Sequence, residues 1–196
     1  AILGVGLPQM LPQGMSWFIT RCHLKMERYP EYGETLKIRT WPRGRKRVFA
    51  YRDLELSLGD EIIGVGSSVW CLIDLETKKA LSPGKVLPPF AEREEKALVT
   101  DFPSIPLVVG FDRELEFSPR KSEIDLNQHV NNVAYMNWAL ETIPDGVTDG
   151  CIPGEIQIFF RKEAKRGDRI VSRVKIMETE EHIETIHFLE NKSMGA

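Results

Sequence analysis

Residues 122–141 read Ser122-Glu-Ile-Asp125-Leu-Asn127-Gln-His129-Val-Asn-Asn-Val-Ala-Tyr-Met-Asn-Trp-Ala-Leu-Glu141, a polar segment that runs directly into an apolar one. Asp125, Asn127 and His129 occupy alternate positions of the polar segment. Alternate side chains of an extended segment point the same way, so this spacing predicts that a carboxylate, a carboxamide and an imidazole converge on one point. The segment is therefore a candidate polar site.

The apolar part predicts a helix over residues 131–143 that ends before Pro144. Its apolar side chains cover most of its circumference, which is typical of a central, buried helix. Leu126 and Val130 are expected to anchor the backbone ahead of it. The Asx residues also have a purely structural interpretation, an ordinary turn with a helix N-cap, because Asn and Asp side chains bond to local backbone.

Composition sets the broad class of the protein. A chain of 196 residues with 42% hydrophobic content can bury a substantial core, in one domain or two. A net charge of -3 provides no general attraction to nucleic acid, and no segment approaches the length of a membrane span. The 3 cysteines form no Cys-x-x-Cys pair, which argues against a disulfide framework or a metal site and favours a reducing cytoplasm. We expect the protein to use no cofactor.

An internal repeat runs through the chain. Residues 29–40 resemble residues 163–174, each with a glycine turn, an acid and an alternating strand, at an offset of 134 residues. The same offset aligns residues 49–56 with residues 183–190. Two matches at one offset predict duplicated halves, each with an opening strand, a buried helix and long antiparallel strands.

The repeat predicts how the chain is divided. The N-terminal half covers residues 1–73, a proline-rich linker across the surface covers residues 74–106, and the C-terminal half covers residues 107–196. Strands are expected over residues 17–26, 35–41, 48–57 and 62–73 in the first half, and near residues 108–117, 155–160, 170–177 and 183–189 in the second. At the repeat offset, the first opening strand and most of the first helix would precede Ala1, and the last strand would follow Ala196. We therefore expect residues to be missing at both ends.

A long helix wrapped by an antiparallel sheet, repeated twice, describes an α+β tandem (double) hot-dog fold. The pattern Asp125-Leu-Asn-Gln-His-Val-Asn-Asn-Val-x-Tyr-x-x-Trp-x-x-Glu141, followed by Phe160-Arg-Lys-Glu-Ala164, resembles the plant and bacterial acyl-acyl carrier protein (acyl-ACP) thioesterases. Further likeness lies in the first half, at Trp17–Arg21, Tyr29–Glu34, Thr40-Trp41, Arg52-Asp53 and Trp70.

The resemblance implies hydrolysis of fatty acyl-ACP thioesters, which ends chain elongation. It implies that Asp125, Asn127, His129 and Glu163 form the catalytic site. We assign Glu163 as the general base for water, Asn127 as the group that holds the water or the thioester oxygen, and His129 as the group that binds the carbonyl or protonates the leaving sulfur. Asp125 would orient Asn127 or His129.

Two points of the chemistry stay open in the sequence. Backbone N–H groups near Val130 and Asn131 could share the oxyanion, and a rival mechanism has Asp125 attack the carbonyl to form an anhydride. Some plant relatives place a cysteine directly after the glutamate, but Ala164 stands here, which excludes a cysteine nucleophile at that position. The other candidate nucleophiles and ligands are interpreted as structural: Cys22, Cys151, His23, His182 and His187.

Substrate contacts are predicted in both halves. An apolar pocket for the acyl chain is expected at Met15, Trp17, Phe18, Ile38 and Trp70. Basic residues would dock the acidic carrier protein, at Arg43, Arg45, Lys46, Arg47, Lys165 and Arg166. A charged hairpin turn is the alternative interpretation of residues 43–47.

Two other functions remain compatible with the sequence. One is a hot-dog thioesterase that acts on acyl-coenzyme A, and the other is an acyl-carrier-binding protein without hydrolytic activity. The four polar residues together argue against the second. A homodimer is a further expectation.

Overall fold

The computed structural model describes residues 4–89 and 91–193, which form two compact units. The first unit comprises Ala1–Pro103 and Pro153–Arg161, and the second comprises Ser104–Ile152 and Lys162–Ala196. Residues 1–3 of the predicted N-terminal half, residues 194–196 of the predicted C-terminal half and the segments expected beyond them lie outside the described residues.

The first unit contains a six-stranded antiparallel sheet in the order β2-β3-β4-β1-β7, with β5 paired to β4. The strands are β1 (Met15–Met26), β2 (Leu36–Lys46), β3 (Phe49–Leu58), β4 (Glu61–Asp74), β5 (Ala80–Leu81) and β7 (Glu155–Phe159). The four long strands predicted between residues 17 and 73 are confirmed. Helices in the described part of this unit are short: α1 (Leu7–Met10), α2 (Pro83–Val86) and a 3-10 turn at Leu11–Gln13.

Strand β7 lies in this first sheet, whereas the sequence had placed it with the strands of the C-terminal half. It pairs with β1 from Arg21↔Phe159 to Lys25↔Glu155, with His23 opposite Gln157 at the centre. Gln157 lies 134 positions after His23, which is the offset of the repeat. The strand therefore pairs with its own counterpart in the other repeat, a non-local contact that strand periodicity does not reveal.

The repeat is supported in atomic detail by its two glycine turns. Gly33 and Gly167 both have φ 91°, a left-handed conformation that favours glycine. The Glu34 carboxylate accepts a hydrogen bond from the Glu31 N–H at 2.7 Å, and the Asp168 carboxylate accepts one from the Lys165 N–H at 2.8 Å. The same turn therefore opens β2 in the first unit and β8 (Ile170–Glu178) in the second.

The second unit packs a helix on a three-stranded antiparallel sheet in the order β6-β8-β9. Its elements are β6 (Arg113–Phe117), α3 (Asn132–Thr142), α4 (Asp145–Thr148), β8, β9 (Ile183–Asn191) and a 3-10 turn at Lys121–Glu123. Helix α3 confirms the predicted helix, and the Ile143 backbone is already extended ahead of Pro144.

Helix α3 buries one stripe of side chains, not its whole circumference. Ala134, Trp138 and Thr142 are buried at a spacing of four residues, which places them on one face. The Thr142 hydroxyl donates to the Trp138 carbonyl at 2.6 Å and accepts a hydrogen bond from the Ser172 hydroxyl of β8 at 2.8 Å. Val133 and Leu140 are exposed within the described structure, so the prediction of a helix buried all round is wrong for these side chains.

The predicted surface linker is bound to the first sheet over part of its length. The Asp53 carboxylate is fully buried and accepts hydrogen bonds from the Arg43 guanidinium at 3.1 Å, the Ser67 hydroxyl at 2.8 Å and the Ala97 N–H at 3.0 Å. The Trp41 indole N–H donates to the Glu95 carbonyl at 2.9 Å. These contacts fasten the linker across the sheet, which the proline content did not indicate.

We expect Asp53→Ala to destabilise the protein by about 3–5 kcal/mol, because it leaves the Arg43 charge buried without its partner and releases the linker. Asp60→Ala, at an exposed turn position, is the matched control and should change stability by less than about 0.5 kcal/mol. Urea unfolding followed by tryptophan fluorescence measures both. Equal midpoints for the two variants would contradict this role of Asp53.

Candidate active site

The polar segment ahead of α3 is a closed loop rather than an extended strand. The Asp125 Oδ1 atom accepts hydrogen bonds from the backbone N–H groups of Asn127 at 2.8 Å and His129 at 3.2 Å. Gln128 has φ 63°, which turns the chain, and Ile124 and Val130 form an antiparallel bridge that closes the loop. The predicted alternation of side chains along an extended segment is therefore wrong, and Asp125 acts on the backbone.

The backbone N–H groups of residues 127–131 all donate hydrogen bonds within the protein. Besides the two bonds to the Asp125 carboxylate, the Gln128 N–H donates to the Asp125 carbonyl at 3.1 Å. The Val130 N–H donates to the Ala164 carbonyl at 2.8 Å, and the Asn131 N–H donates to the Glu123 carbonyl at 2.7 Å. Among the N–H groups near the helix start that we expected to share an oxyanion, those of Val130 and Asn131 are therefore already occupied.

The structure brings His129 and Glu163 together although 34 positions separate them in the sequence. The His129 Nε2 atom lies 3.3 Å from the Glu163 Oε2 atom. The two side chains are 24% and 44% exposed, so water can reach both. A carboxylate that contacts an imidazole at a water-accessible position is an arrangement that can take up and pass on a proton.

Asn127 is exposed on the same loop, and its carboxamide can donate and accept hydrogen bonds. Helix α3 starts directly after the loop, where the Asn131 side chain accepts a hydrogen bond from the Val133 N–H at 2.9 Å. The structural interpretation of Asx residues thus holds for Asp125 and Asn131. Leu126 is exposed and does not anchor the backbone, whereas Val130 is buried as predicted.

Ala164, which follows Glu163, is a buried core residue. It is 1% exposed and packs in a cluster with Val130, Ala134, Trp138 and Ile170. A side chain at this position points into the apolar core of the unit and is separated from water.

Tyr135 of helix α3 contacts the segment that bears Glu163. Its phenol oxygen accepts a hydrogen bond from the Ala164 N–H at 2.9 Å, and its ring meets the Trp138 ring edge-on at 5.4 Å. Burial raises the pKa of the Tyr135 phenol, and the carboxylates of Glu163, Asp168 and Asp125 add to the effect, so the phenol is neutral at pH 7.

His23 makes a second histidine–glutamate contact, in the first unit. Its Nε2 atom lies 2.6 Å from the Glu155 Oε1 atom, and its Nδ1 atom lies 2.8 Å from the Thr100 hydroxyl. The ring is buried and both nitrogens are occupied, which favours the predicted structural role. Burial lowers the pKa of His187 to about 4, so that imidazole is neutral at pH 7.

The five residues predicted to line one acyl pocket do not converge. Met15, Trp17 and Trp70 share one face of the first sheet, because directly paired residues of antiparallel strands lie on the same face. Phe18 follows Trp17 and therefore points to the opposite face.

Ile38 lies at the far end of the same sheet. The strand register places Ile38 of β2 level with Met26 of β1, through the intervening partners Leu56 of β3 and Gly64 of β4. Met26 is nine residues beyond Trp17 on β1, a distance of about 30 Å at the usual rise per residue. Ile38 is also exposed, so it does not join a pocket with Met15 or Trp17.

The predicted basic docking residues divide into two groups. Arg43 is bound to the buried Asp53 carboxylate, and the Arg45 Nε atom lies 2.5 Å from the Glu92 Oε1 atom. Both belong to β2, which extends to Lys46 through an irregularity at Pro42–Gly44. Residues 43–46 are thus the strand end of the β2–β3 hairpin, and Arg47 lies in its turn, as the alternative interpretation expected. The exposed members of the predicted set are Lys46, Arg47, Lys165 and Arg166.

Across residues 4–89 and 91–193, no helix is long and apolar enough to cross a membrane. The same described residues contain no group of three or more His, Cys, Asp or Glu side chains arranged to hold a metal ion.

Comparison with known proteins finds one family along both parts of the chain. Residues 2–86 match the acyl-ACP thioesterase N-terminal domain, and residues 110–196 match the acyl-ACP thioesterase C-terminal domain. The chloroplastic oleoyl-acyl carrier protein thioesterase 1 of Arabidopsis thaliana is 27% identical over 171 residues, which cover 80% of this chain and 47% of that protein. The chain thus spans about half the length of such curated relatives.

Solved structures show the same fold. The chain is similar to an acyl-ACP thioesterase from Bacteroides thetaiotaomicron, with a TM-score of 0.83 and 21% identity over 97% of this chain and 77% of that one. It is also similar to the 12:0-ACP thioesterase from Umbellularia californica, with a TM-score of 0.79 and 22% identity over 93% and 70% of the two chains. The predicted hot-dog fold is confirmed.

The role of Asp125 in closing the loop can be measured by amide hydrogen exchange. We expect Asp125→Ala to speed exchange of the Asn127 and His129 amides at least about tenfold, because each loses a hydrogen bond to a charged acceptor. Asp125→Asn keeps an acceptor at the same place and should have a smaller effect.

Asp145→Ala, at an exposed position in the first turn of α4, is the control and should leave both amides unchanged. Unchanged exchange in Asp125→Ala would show that the carboxylate does not hold the loop.

Proposed function

The chain belongs to the acyl-ACP thioesterase family, and we propose that it hydrolyses fatty acyl-ACP thioesters to free fatty acid and carrier protein, ending chain elongation. The observation that carries the proposal is the contact between His129 and Glu163 at 3.3 Å, beside a loop held by Asp125 and bearing Asn127. These are the four residues that the resemblance assigns to the catalytic site.

In this mechanism Glu163 is the general base. Its carboxylate takes a proton from a water molecule as the water oxygen attacks the thioester carbonyl carbon. The carbonyl oxygen becomes an oxyanion, the carbon–sulfur bond then breaks, and the sulfur leaves with its electron pair. A proton from the His129–Glu163 pair converts the thiolate to the free thiol of the carrier, and the acyl group leaves as the acid.

We assign stabilisation of the oxyanion to side chains, since the N–H groups of residues 127–131 are occupied within the loop and by Ala164. The Asn127 carboxamide and the His129 imidazole are the donors that the loop presents. This assigns Asn127 to the oxyanion or the attacking water, in agreement with the role inferred from the resemblance.

Asp125 is better suited to hold the loop than to attack the substrate. Two N–H donors stabilise the charge on its Oδ1 atom and keep it turned toward the backbone. The rival mechanism requires this carboxylate to attack the carbonyl, so Asp125→Asn would abolish it. A loop-holding Asp125 predicts instead that Asp125→Asn keeps more turnover than Asp125→Ala.

For the acyl chain we propose contacts with two of the five residues predicted from the sequence. Trp17 and Trp70 share one sheet face and are half-buried, which supports contacts of both with an apolar chain. Met15 is buried in a core cluster against which Trp17 also packs. Phe18 lies on the opposite face of the sheet and Ile38 at its far end. The named relatives include an oleoyl and a 12:0 enzyme, so family membership does not decide the chain length.

We propose that the acidic carrier protein is attracted by the exposed cations of each unit. In the first unit, Lys46 lines a cleft of about 320 Å³ together with Arg21 and Lys96. In the second unit, Lys165 and Arg166 follow Glu163 directly and are exposed. Positive surface charge accelerates and tightens association with an acidic partner, and salt screens the effect.

A reducing compartment and a homodimer complete the proposal. Cys22, Cys71 and Cys151 are free in the structure, which suits the cytoplasm that we predict. The curated relatives are named as chloroplastic proteins.

The test of the activity is release of free acid from a panel of acyl-ACPs and matched acyl-coenzyme A esters by the full-length protein and its Glu163→Gln variant. Gln keeps an acceptor for His129 but removes the base, so we expect kcat/KM on acyl-ACP to fall at least about 100-fold. Glu181→Gln, at an exposed turn position, is the control and should retain full activity.

The outcomes separate the candidate functions. Turnover on coenzyme A esters alone would favour the second thioesterase function, and carrier binding without turnover would favour the binding protein. Full activity in Glu163→Gln would contradict the general-base role.

Carrier docking is tested by charge reversal. We expect Lys46→Glu and Arg166→Glu each to raise KM for acyl-ACP by roughly threefold to tenfold at low salt with little change in kcat, because the cations act on encounter and not on chemistry. Lys37→Glu, exposed on β2, is the control. A rise in KM that persists at 0.5 M salt would contradict an electrostatic role, since screening at that concentration is nearly complete.

A further inference from the structure

Both backbone polar groups of Ala164, the residue after Glu163, make hydrogen bonds. The Ala164 carbonyl accepts a hydrogen bond from the Val130 N–H at 2.8 Å, and the Ala164 N–H donates to the Tyr135 phenol oxygen at 2.9 Å. Its methyl group is buried in the core cluster of the second unit. The segment that bears Glu163 is thereby held against the loop that bears His129 and against helix α3.

The two hydrogen bonds differ in the side chains that they require. The Val130 bond joins main chain to main chain and would form with any residue at position 130 except proline. The Tyr135 bond depends on one side-chain oxygen, and it fixes the N–H of the peptide that links Glu163 to Ala164. Rotation of that peptide would swing the Glu163 Cα–Cβ bond and move its carboxylate away from His129.

We propose that Tyr135 is a positioning residue for Glu163, and that its phenol oxygen holds the Glu163–Ala164 peptide so that the carboxylate stays within reach of the His129 imidazole. The inference rests on the proposed function, because it assigns Tyr135 a part in the same reaction. Tyr135 itself does not touch the reacting atoms.

Packing supports this assignment. The Tyr135 ring lies edge-on against Trp138, whose own ring stacks on Phe117 at 5.9 Å. The phenol oxygen is therefore carried on a ring whose position is set by core neighbours, and the hydrogen bond is made without freezing a mobile side chain. Burial also keeps the phenol protonated, and a neutral phenol oxygen can accept the hydrogen bond from the Ala164 N–H.

Tyr135→Phe tests the proposal, because it keeps the ring and removes the oxygen. We expect kcat on acyl-ACP to fall roughly tenfold with KM changed less than about twofold, since loss of one hydrogen bond misplaces the base without touching the substrate. The control is Tyr29→Phe, because Tyr29 occupies the position of Glu163 in the first repeat and also makes one phenol hydrogen bond, to the Pro153 carbonyl at 2.9 Å. It should leave kcat unchanged.

A double-mutant cycle distinguishes positioning from simple loss of structure. If Tyr135 acts through Glu163, then Tyr135→Phe causes no further loss of kcat in the Glu163→Gln background. If it acts through general stability, the two losses multiply and the proposal is overturned. A melting temperature that falls in proportion to the activity loss would overturn it as well.

A readout without turnover keeps this inference separate from the proposed function. The ¹⁵N chemical shift of His129 Nε2 reports its contact with Glu163, and we expect Tyr135→Phe to change it while Tyr29→Phe does not. If the unaltered protein releases no acid from any acyl-ACP but the shift responds, the proposed function fails and the positioning role stands. An unchanged shift in Tyr135→Phe overturns the positioning role.

Discussion

The hydrogen bond from the Val130 N–H to the Ala164 carbonyl is the contact on which the site depends. It joins two segments that are far apart in sequence, the loop that carries His129 and the segment that carries Glu163. Both partners are buried in the same apolar cluster, where an unpaired N–H or carbonyl would cost about 1–3 kcal/mol. The core therefore enforces the bond, and the bond in turn brings a water-accessible imidazole within 3.3 Å of a water-accessible carboxylate.

The two repeats use the same turn for different purposes. The turn at Gly33 and the turn at Gly167 share their backbone conformation and their carboxylate-to-N–H bond. In the second half Glu163 opens the turn and contacts His129, whereas at the repeat offset Tyr29 occupies the position of Glu163. The first turn instead ties Glu34 to Arg28 in an ion pair at 3.0 Å. The same backbone device thus supports a structural contact in one half and a candidate catalytic residue in the other.

Local patterns predicted the elements well but not where their side chains point. Helix α3 begins and ends within one residue of the prediction, because Asn131 as N-cap and Pro144 as terminator are local signals. The side-chain directions of Asp125 and Leu126 were predicted wrongly because Gln128 adopts a positive φ, which a non-glycine residue seldom does. The grouping of Ile38 with Trp17 failed since strand register decides which residues meet, and register is set by non-local pairing. The linker contact to Asp53 is equally non-local.

The two histidine–glutamate contacts show what separates a structural pair from one suited to catalysis. His23 and Glu155 are closer, at 2.6 Å, yet the second ring nitrogen of His23 is occupied by Thr100 and the ring is enclosed. Glu155 is open to water, but the buried His23 ring has both nitrogens occupied and so presents neither of them to a bound substrate. His129 and Glu163 are farther apart, at 3.3 Å, and the His129 side chain is more exposed than that of His23, at 24% against 10%. His129 lies on a loop whose backbone N–H groups are already hydrogen-bonded. That loop can hold still while its side chains exchange protons with water, which is what hydrolysis of a thioester requires.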